Sequence, residues 1–301
     1  MSTLQQRLDG GEIIVLDGAM GTELEKRGVP MDDAAWSAAA LATHADTVRE
    51  VHEDYIRAGA DLIITNTFPT ARHVLEPAGM GEQFRELNIR AVTLAKEARE
   101  NAAERAVFIA GSISTFTARY DYGYEPRAET ARANYREQAE VLAESGVDVI
   151  ALEMMRDVEQ TTYAMEAAVA MGLPVWVGFS CKTTDEGTVV LWDGEHTLVD
   201  ALEMLHPLGA SLVSIMHTLT EDTPAALREV SKCWSGPVGA YPHSGEFIMP
   251  NWQFLDVLTP ADFATQAQGW LEMGVQLIGG CCGIGPEHIR LLKERLPERS
   301  S

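Results

Sequence analysis

A closed (β/α)8 barrel is the fold class this sequence predicts, and three observations point to it. Short apolar runs alternate with helix-period stretches in eight strand–helix units, the beat of a parallel sheet with helices outside it. The length of 301 residues suits eight such units in one closed barrel. Polar or metal-binding residues follow every apolar run, on the face where barrel chemistry happens. A doubly wound open sheet competes, but it needs a Gly-rich phosphate loop after the first strand. Asp17-Gly18-Ala19-Met20-Gly21-Thr22 imitates one only weakly.

The first strand is expected over 12–16 and ends at Asp17. A helix over about 44–58 leads through Gly59-Ala60 to a second strand, 61–65, which ends in Asn66-Thr67-Phe68. Helical periodicity resumes over 82–103, before a third strand, 106–110, ending in Gly111-Ser112. A helix over 127–144 and then Gly146 precede the fourth strand, 147–152, which ends at Glu153. The second half continues with helix 157–171 and strand 174–179, ending in Ser180-Cys181. Helix 196–205 leads to strand 211–216 and His217; helix 224–232 leads to strand 237–240 and Tyr241. Helix 260–273 leads to the eighth strand, 275–278, and to Gly279-Gly280-Cys281-Cys282-Gly283; a last helix covers 286–296. No linker or low-complexity stretch intervenes, so residues 1–301 are expected to form a single domain. The loop 115–126 is long and aromatic, with Phe116, Tyr120, Tyr122 and Tyr124, and belongs to the functional loop face.

Composition narrows the function classes. The chain is 46% hydrophobic and 23% charged, ordinary for a soluble enzyme with a sizeable core. A net charge of -22 argues against nucleic acid or an anionic membrane as partner, since both demand a basic face. Cys181, Cys233, Cys281 and Cys282 do not make a secreted disulfide framework in a chain this long. The polar start offers no signal-peptide core, and no apolar run approaches the ~20 residues that span a bilayer. A cytoplasmic protein is expected, and a homo-oligomer is compatible with all of this.

The chemistry centres on residues 279–283. Neighbouring side chains on a strand normally point to opposite faces, whereas the flanking glycines let the backbone bend and bring both thiolates to one point. A disulfide between adjacent residues would be strained, so two metal ligands awaiting others compete with a pair of small buried thiols. His217, two strands away around the barrel, completes a set of three with an open fourth position, the arrangement of a catalytic zinc. Cys181 also ends a strand and is a candidate to supplement or replace His217. Two soft thiolates with little general-base machinery suit a substrate thiol in the open position, its pKa lowered by the metal. Glu153 and Asp17 can then hold a substrate ammonium, which would make the thiol an amino acid such as homocysteine.

The sequence resembles the zinc-dependent homocysteine S-methyltransferases over nearly its whole length. The resemblance rests on Leu-Asp-Gly-Ala-Met-Gly-Thr (16–22), Gly-Ala-Asp-Leu-Ile-Ile-Thr-Asn-Thr-Phe (59–68) and Ala-Gly-Ser-Ile (110–113). Glu153, Tyr-Pro-His-Ser-Gly-Glu (241–246) and Gly-Gly-Cys-Cys-Gly (279–283) complete it. It implies a (β/α)8 barrel that moves a methyl group from a small-molecule donor to homocysteine, giving methionine. It implies Zn2+ on Cys281 and Cys282, and homocysteine at Glu153 and the Asp17-Gly18 turn. Asp17 and Glu153 are then the catalytic candidates, with Asn66, Phe68, Ser112 and Tyr241 as further substrate-binding positions.

One departure matters. The family usually closes its sixth strand with Asn-Cys, the third zinc ligand, where this chain has Met216-His217. Histidine is a good zinc ligand, but it changes the charge at the metal. Three cysteinates and a substrate thiolate on Zn2+ sum to -2; histidine, two cysteinates and the thiolate sum to -1. The less negative centre favours thiol deprotonation and leaves a poorer nucleophile. An onium donor such as S-methylmethionine or a betaine fits Trp36, Phe68, Tyr122 and Trp192 as a cation–π surface. Asn-Thr-Phe-Pro-Thr-Ala-Arg (66–72) looks more like relatives that use methylfolate through a corrinoid, which here would sit on a separate protein. Transfer to another thiol, a non-catalytic zinc- or ligand-binding barrel and zinc hydrolysis are the remaining readings.

Overall fold

Eight parallel strands make one sheet whose two edges meet. They run, in chain order, through β1 (Ile14–Val15), β2 (Leu62–Ile64), β3 (Phe108–Ser114), β4 (Val149–Met155) and β5 (Val175–Phe179). A hairpin of β6 (Cys181–Thr183) and β7 (Val189–Leu191) follows before β8 (Leu212–Leu219) and β9 (Val238–His243). A second hairpin, β10 (Glu246–Ile248) with β11 (Gln253–Leu255), precedes β12 (Leu277–Ile278). The spatial order is β1-β12-β9-β8-β5-β4-β3-β2, and a parallel bridge from Leu16 to Leu62 joins the outer pair. The predicted (β/α)8 barrel is therefore the fold. These coordinates are a computed structural model of the chain that describes residues 3–117, 126–248 and 253–296.

The helices are α1 (Leu4–Asp9), α2 (Met20–Lys26), α3 (Ala38–Thr43), α4 (Ala45–Ala58), α5 (Arg72–Leu75) and α6 (Phe84–Ala102). They continue as α7 (Ala128–Glu144), α8 (Val158–Val169), α9 (Leu198–Leu205), α10 (Thr223–Cys233), α11 (Pro260–Glu272) and α12 (Pro286–Arg295). Their ends follow local chemistry. Asp157, Thr197 and Thr259 each accept a backbone N–H as N-caps, satisfying donors that the first turn leaves open. Gly59 closes α4 in a left-handed conformation, as a residue without Cβ can. Every β4 residue is buried, and the inner faces of strands and helices merge into one apolar core. Helix α1 covers the N-terminal end of the barrel, where the Gln276 side chain donates to the Leu8 carbonyl.

Two irregularities in the sheet position the site. The β4–β5 register shifts between Leu152 and Met155, and the β8–β9 register shifts between Met216 and Leu219. Bulges of this kind re-aim side chains at a barrel rim. Each contains a non-glycine residue with positive φ, Met154 at 53° and His217 at 42°, a conformation costing roughly 1–3 kcal/mol. The bulges let consecutive residues face the same cavity: Glu153 with Met154, and Met216 with His217. The Met154 N–H points at the Met216 sulfur, 2.9 Å away, so the two bulges are tied together.

Candidate active site

A cavity of about 430 Å3 opens at the C-terminal ends of the strands. The dicysteine enters it from a turn beyond β12. The Cys281 N–H donates to the Pro242 carbonyl at 2.8 Å, and the Ser244 N–H donates to the Cys282 carbonyl at 3.0 Å. Gly283 has φ +84°, and a Cβ there would lie 2.4 Å from the Ser244 carbonyl. No other residue fits that turn without strain.

His217, Cys281 and Cys282 offer ligand atoms that all lie within 4.8 Å of one another. Cys281 Sγ is 3.8 Å from His217 Nδ1 and 3.9 Å from Cys282 Sγ. Zinc with Zn–S near 2.3 Å and Zn–N near 2.0–2.1 Å sets ligand atoms roughly 3.6–3.8 Å apart on a tetrahedron. The donor set, and the spacing of its two pairs with Cys281, are compatible with zinc. Apposition to Cys282 and burial push the Cys281 thiol well above its ordinary range, partly offset by His217.

Cys181, the other sequence candidate for this cluster, lies elsewhere. It is buried as the first residue of β6, opposite Leu191, and its N–H donates to Thr218 Oγ1. Its neighbour Ser180 lines the cavity instead. Cys233 sits at the end of α10, with its thiol against the Glu229 carbonyl.

Glu153 is the carboxylate that lines the cavity among the described residues. Ser112 Oγ donates to its Oε2 at 2.5 Å. Burial raises its pKa to about 7, and Ser112, Tyr241 and His217 pull against that rise. Asp17 and Ser112, expected to touch substrate, are not among the lining residues. The Asp17 carboxylate accepts the Ile64 N–H at 2.8 Å. Burial, together with the charge of Glu153, holds Asp17 well above the usual carboxylate range. Ser112 reaches the cavity through its bond to Glu153. Gly18, Asn66, Phe68 and Tyr241 do line it. Gly18 is needed there because a Cβ would sit 2.2 Å from the Ile284 carbonyl. Asn66 is locked by Ser37, which donates to Oδ1 at 2.8 Å and accepts from Nδ2 through its carbonyl.

The far wall is aromatic. Phe68 packs against Trp36 and Phe116 with ring centroids 5.9 and 5.5 Å apart. Trp36, with φ 44°, is a third left-handed non-glycine at this cavity. The β6–β7 hairpin carries Trp192 to the rim, its ring 6.2 Å from that of His217. Tyr122, the fourth aromatic candidate, lies outside the described residues, as do Tyr120 and Tyr124. No lysine or arginine lines the cavity among the described residues. The sequence reading missed Ser180, Met154, Met216 and His243. His243 was open to detection, because it follows Tyr241 at the two-residue spacing of one strand face.

Known proteins agree with this geometry. The sequence pattern of the family described as homocysteine S-methyltransferase matches residues 14–296. The chain is 31% identical to homocysteine S-methyltransferase YbgG of Bacillus subtilis, with 96% of each protein covered. It is 30% identical to selenocysteine Se-methyltransferase of Brassica oleracea, covering 97% of this chain and 91% of that one. The metallated crystal form of the homocysteine methyltransferase MmuM from Escherichia coli superposes with a TM-score of 0.80 at 31% identity, covering 96% and 98% of the two chains. A family pattern spanning nearly every strand and helix, on a barrel of matching shape, makes this chain a methyltransferase that belongs to the homocysteine S-methyltransferase family.

Proposed function

We propose that the protein methylates the thiol of homocysteine, using an onium compound such as S-methylmethionine or a betaine as donor and one zinc ion held by His217, Cys281 and Cys282. The observation that carries this reading is the convergence of three soft ligands on the cavity that also exposes one buried carboxylate. Zinc bound there would supply the charge that keeps a substrate thiol deprotonated at neutral pH.

The chain's own residues do the rest. Glu153, held by Ser112, pairs with the substrate ammonium and so directs the thiol toward the ligand cluster. Asp17 supports the neighbouring wall: its carboxylate accepts the Ile64 N–H, and the charge of Glu153 adds to the burial that raises its pKa. Trp36, Phe68 and Trp192 offer ring faces to a positive methyl donor, and the absence of lysine and arginine from the described lining avoids repelling it. The thiol proton leaves to solvent. One S–CH3 bond forms as the donor's onium–CH3 bond breaks, and that electron pair returns to the donor heteroatom.

The test is a donor panel against homocysteine, with methionine as the readout and bound metal measured in parallel. S-Methylmethionine or a betaine should give methionine, and chelation should abolish it. Turnover by methylfolate with a corrinoid protein, and by no onium compound, would overturn the donor assignment. Selenocysteine belongs in the acceptor panel, since a relative of similar identity carries that name.

A further inference from the structure

We infer that His243 and Ser180 are positioning residues that hold the His217 peptide in its left-handed form and so keep Nδ1 directed at Cys281. The inference rests on His217 being a metal ligand. A residue at φ 42° inside a bulge needs surroundings that fix it, because left-handed backbone is unfavourable for a residue with a Cβ. The His217 backbone has two partners to do so. Ser180 Oγ donates to its carbonyl at 2.8 Å, and the His243 imidazole also hydrogen-bonds to the His217 backbone. The two imidazoles lie 4.8 Å apart, centroid to centroid, tilted by 42°. Ser180 is fully buried and His243 is 7% exposed, so neither bond is left to compete with bulk water.

The placement of His243 in the chain adds to this. Strand β9 lies between β8 and β12, and its end touches both ligand-bearing segments. The Pro242 carbonyl accepts from Cys281, and the Ser244 N–H donates to Cys282. Between them, His243 takes hold of His217. Three consecutive residues thus fix the spacing between a histidine on one neighbouring segment and two cysteines on the other. Within that template His243 is the only member that acts through its side chain on the third ligand. Partners that orient a metal ligand typically change metal affinity 10–100-fold when removed.

The experiment measures zinc affinity of the full chain by competition with a chromogenic chelator. The proteins are wild type, Ser180→Ala, His243→Ala, His243→Gln, His217→Ala and the His217→Ala/His243→Ala double variant. His243→Ala should loosen zinc roughly 10–100-fold, and His243→Gln, which keeps an N–H donor, should recover part of the loss. Ser180→Ala should weaken zinc in the same direction; removing one hydroxyl, it serves also if His243→Ala does not fold. In the His217→Ala background, removing His243 should cost nothing further, since the ligand it positions is gone. In cobalt-loaded protein the visible bands of His243→Ala should shift toward those of His217→Ala. An equal loss in both backgrounds would make His243 an independent ligand and overturn the inference, as would wild-type affinity in both His243→Ala and Ser180→Ala. Wild-type affinity in His217→Ala would remove the ligand assignment as well.

Discussion

Ser112 Oγ donates to Glu153 Oε2 at 2.5 Å, within the closed floor of the cavity. Ser112 is on β3 and Glu153 on β4, and the two strands pair so that Glu153 stands opposite Ser114. Burial raises the pKa of this carboxyl to about 7 even with the hydroxyl favouring its charged form. Only ionised Glu153 can pair with a substrate ammonium, so homocysteine kcat/KM should rise as pH increases through about 7 and then level off. Ser112→Ala removes the bond that stabilises the anion, and the inflection should move to higher pH. An unchanged pH profile would separate Ser112 from Glu153.

Glu153→Gln keeps the shape and loses the charge. Loss of a charge-assisted bond costs about 1.5–3 kcal/mol, so homocysteine binding should weaken by roughly 10- to 150-fold. A thiol without the amino group should bind almost as before. The measurement is KM for both thiols in wild type and variant, and equal losses would contradict an ammonium contact.

Trp192 should act on the donor. It is 41% exposed at the rim, with Lys182 Nζ 5.9 Å from its ring and its backbone N–H donating to the Ser180 carbonyl. At an exposed site a cation–π contact is worth about 0.5–1 kcal/mol. Trp192→Ala should therefore raise the donor KM roughly 2- to 5-fold while leaving zinc content and homocysteine KM close to wild type, and Trp192→Phe should recover most of the loss. Steady-state kinetics with donor and acceptor varied separately would show whether the effect falls on the donor.

Away from the site, His52 on α4 is fully buried with neither ring nitrogen hydrogen-bonded among the described residues. Burial lowers its pKa to about 4, below the value of ~6.5 in an unfolded chain. The unfolded state therefore takes up the proton first on acidification. Stability is fully present above ~6.5 and is lost as pH falls toward the folded-state pKa. Between pH 7 and pH 4.5 this one residue should account for about 2 kcal/mol of destabilisation. Urea unfolding of wild type and His52→Leu at both pH values would show it, as a smaller pH-dependent loss in the variant.

The eight-unit beat was legible because each strand is an apolar run between helices of regular period, and the clustering of His217, Cys281 and Cys282 was legible because barrel strand ends converge. Local signals were weaker elsewhere. Helix α2 begins at Met20 behind Ala19, which makes no side-chain cap, and its start falls within the 17–22 stretch that read as a weak imitation of a phosphate loop. Helix α3 is a short alanine-rich piece with no apolar stripe and no side-chain cap. Strand β9 runs on to His243, past the expected end at Tyr241, so His243 went unread. The bulges at Met154 and His217 are defined by register against neighbouring strands, a relation between distant segments. Asp17 and Ser112 lie at the right strand ends, but whether a side chain lines a cavity or supports the residue that does depends on packing in three dimensions.

The most direct test of the account is X-ray absorption at the zinc edge, recorded on the zinc-loaded protein before and after homocysteine is added. Ligation by His217, Cys281 and Cys282 predicts two sulfurs and one imidazole nitrogen at the metal, with a lighter atom in the fourth position. Homocysteine should replace that atom with a third sulfur near 2.3 Å. An unchanged sulfur count on adding homocysteine, or three sulfurs already present without it, would contradict the proposed site.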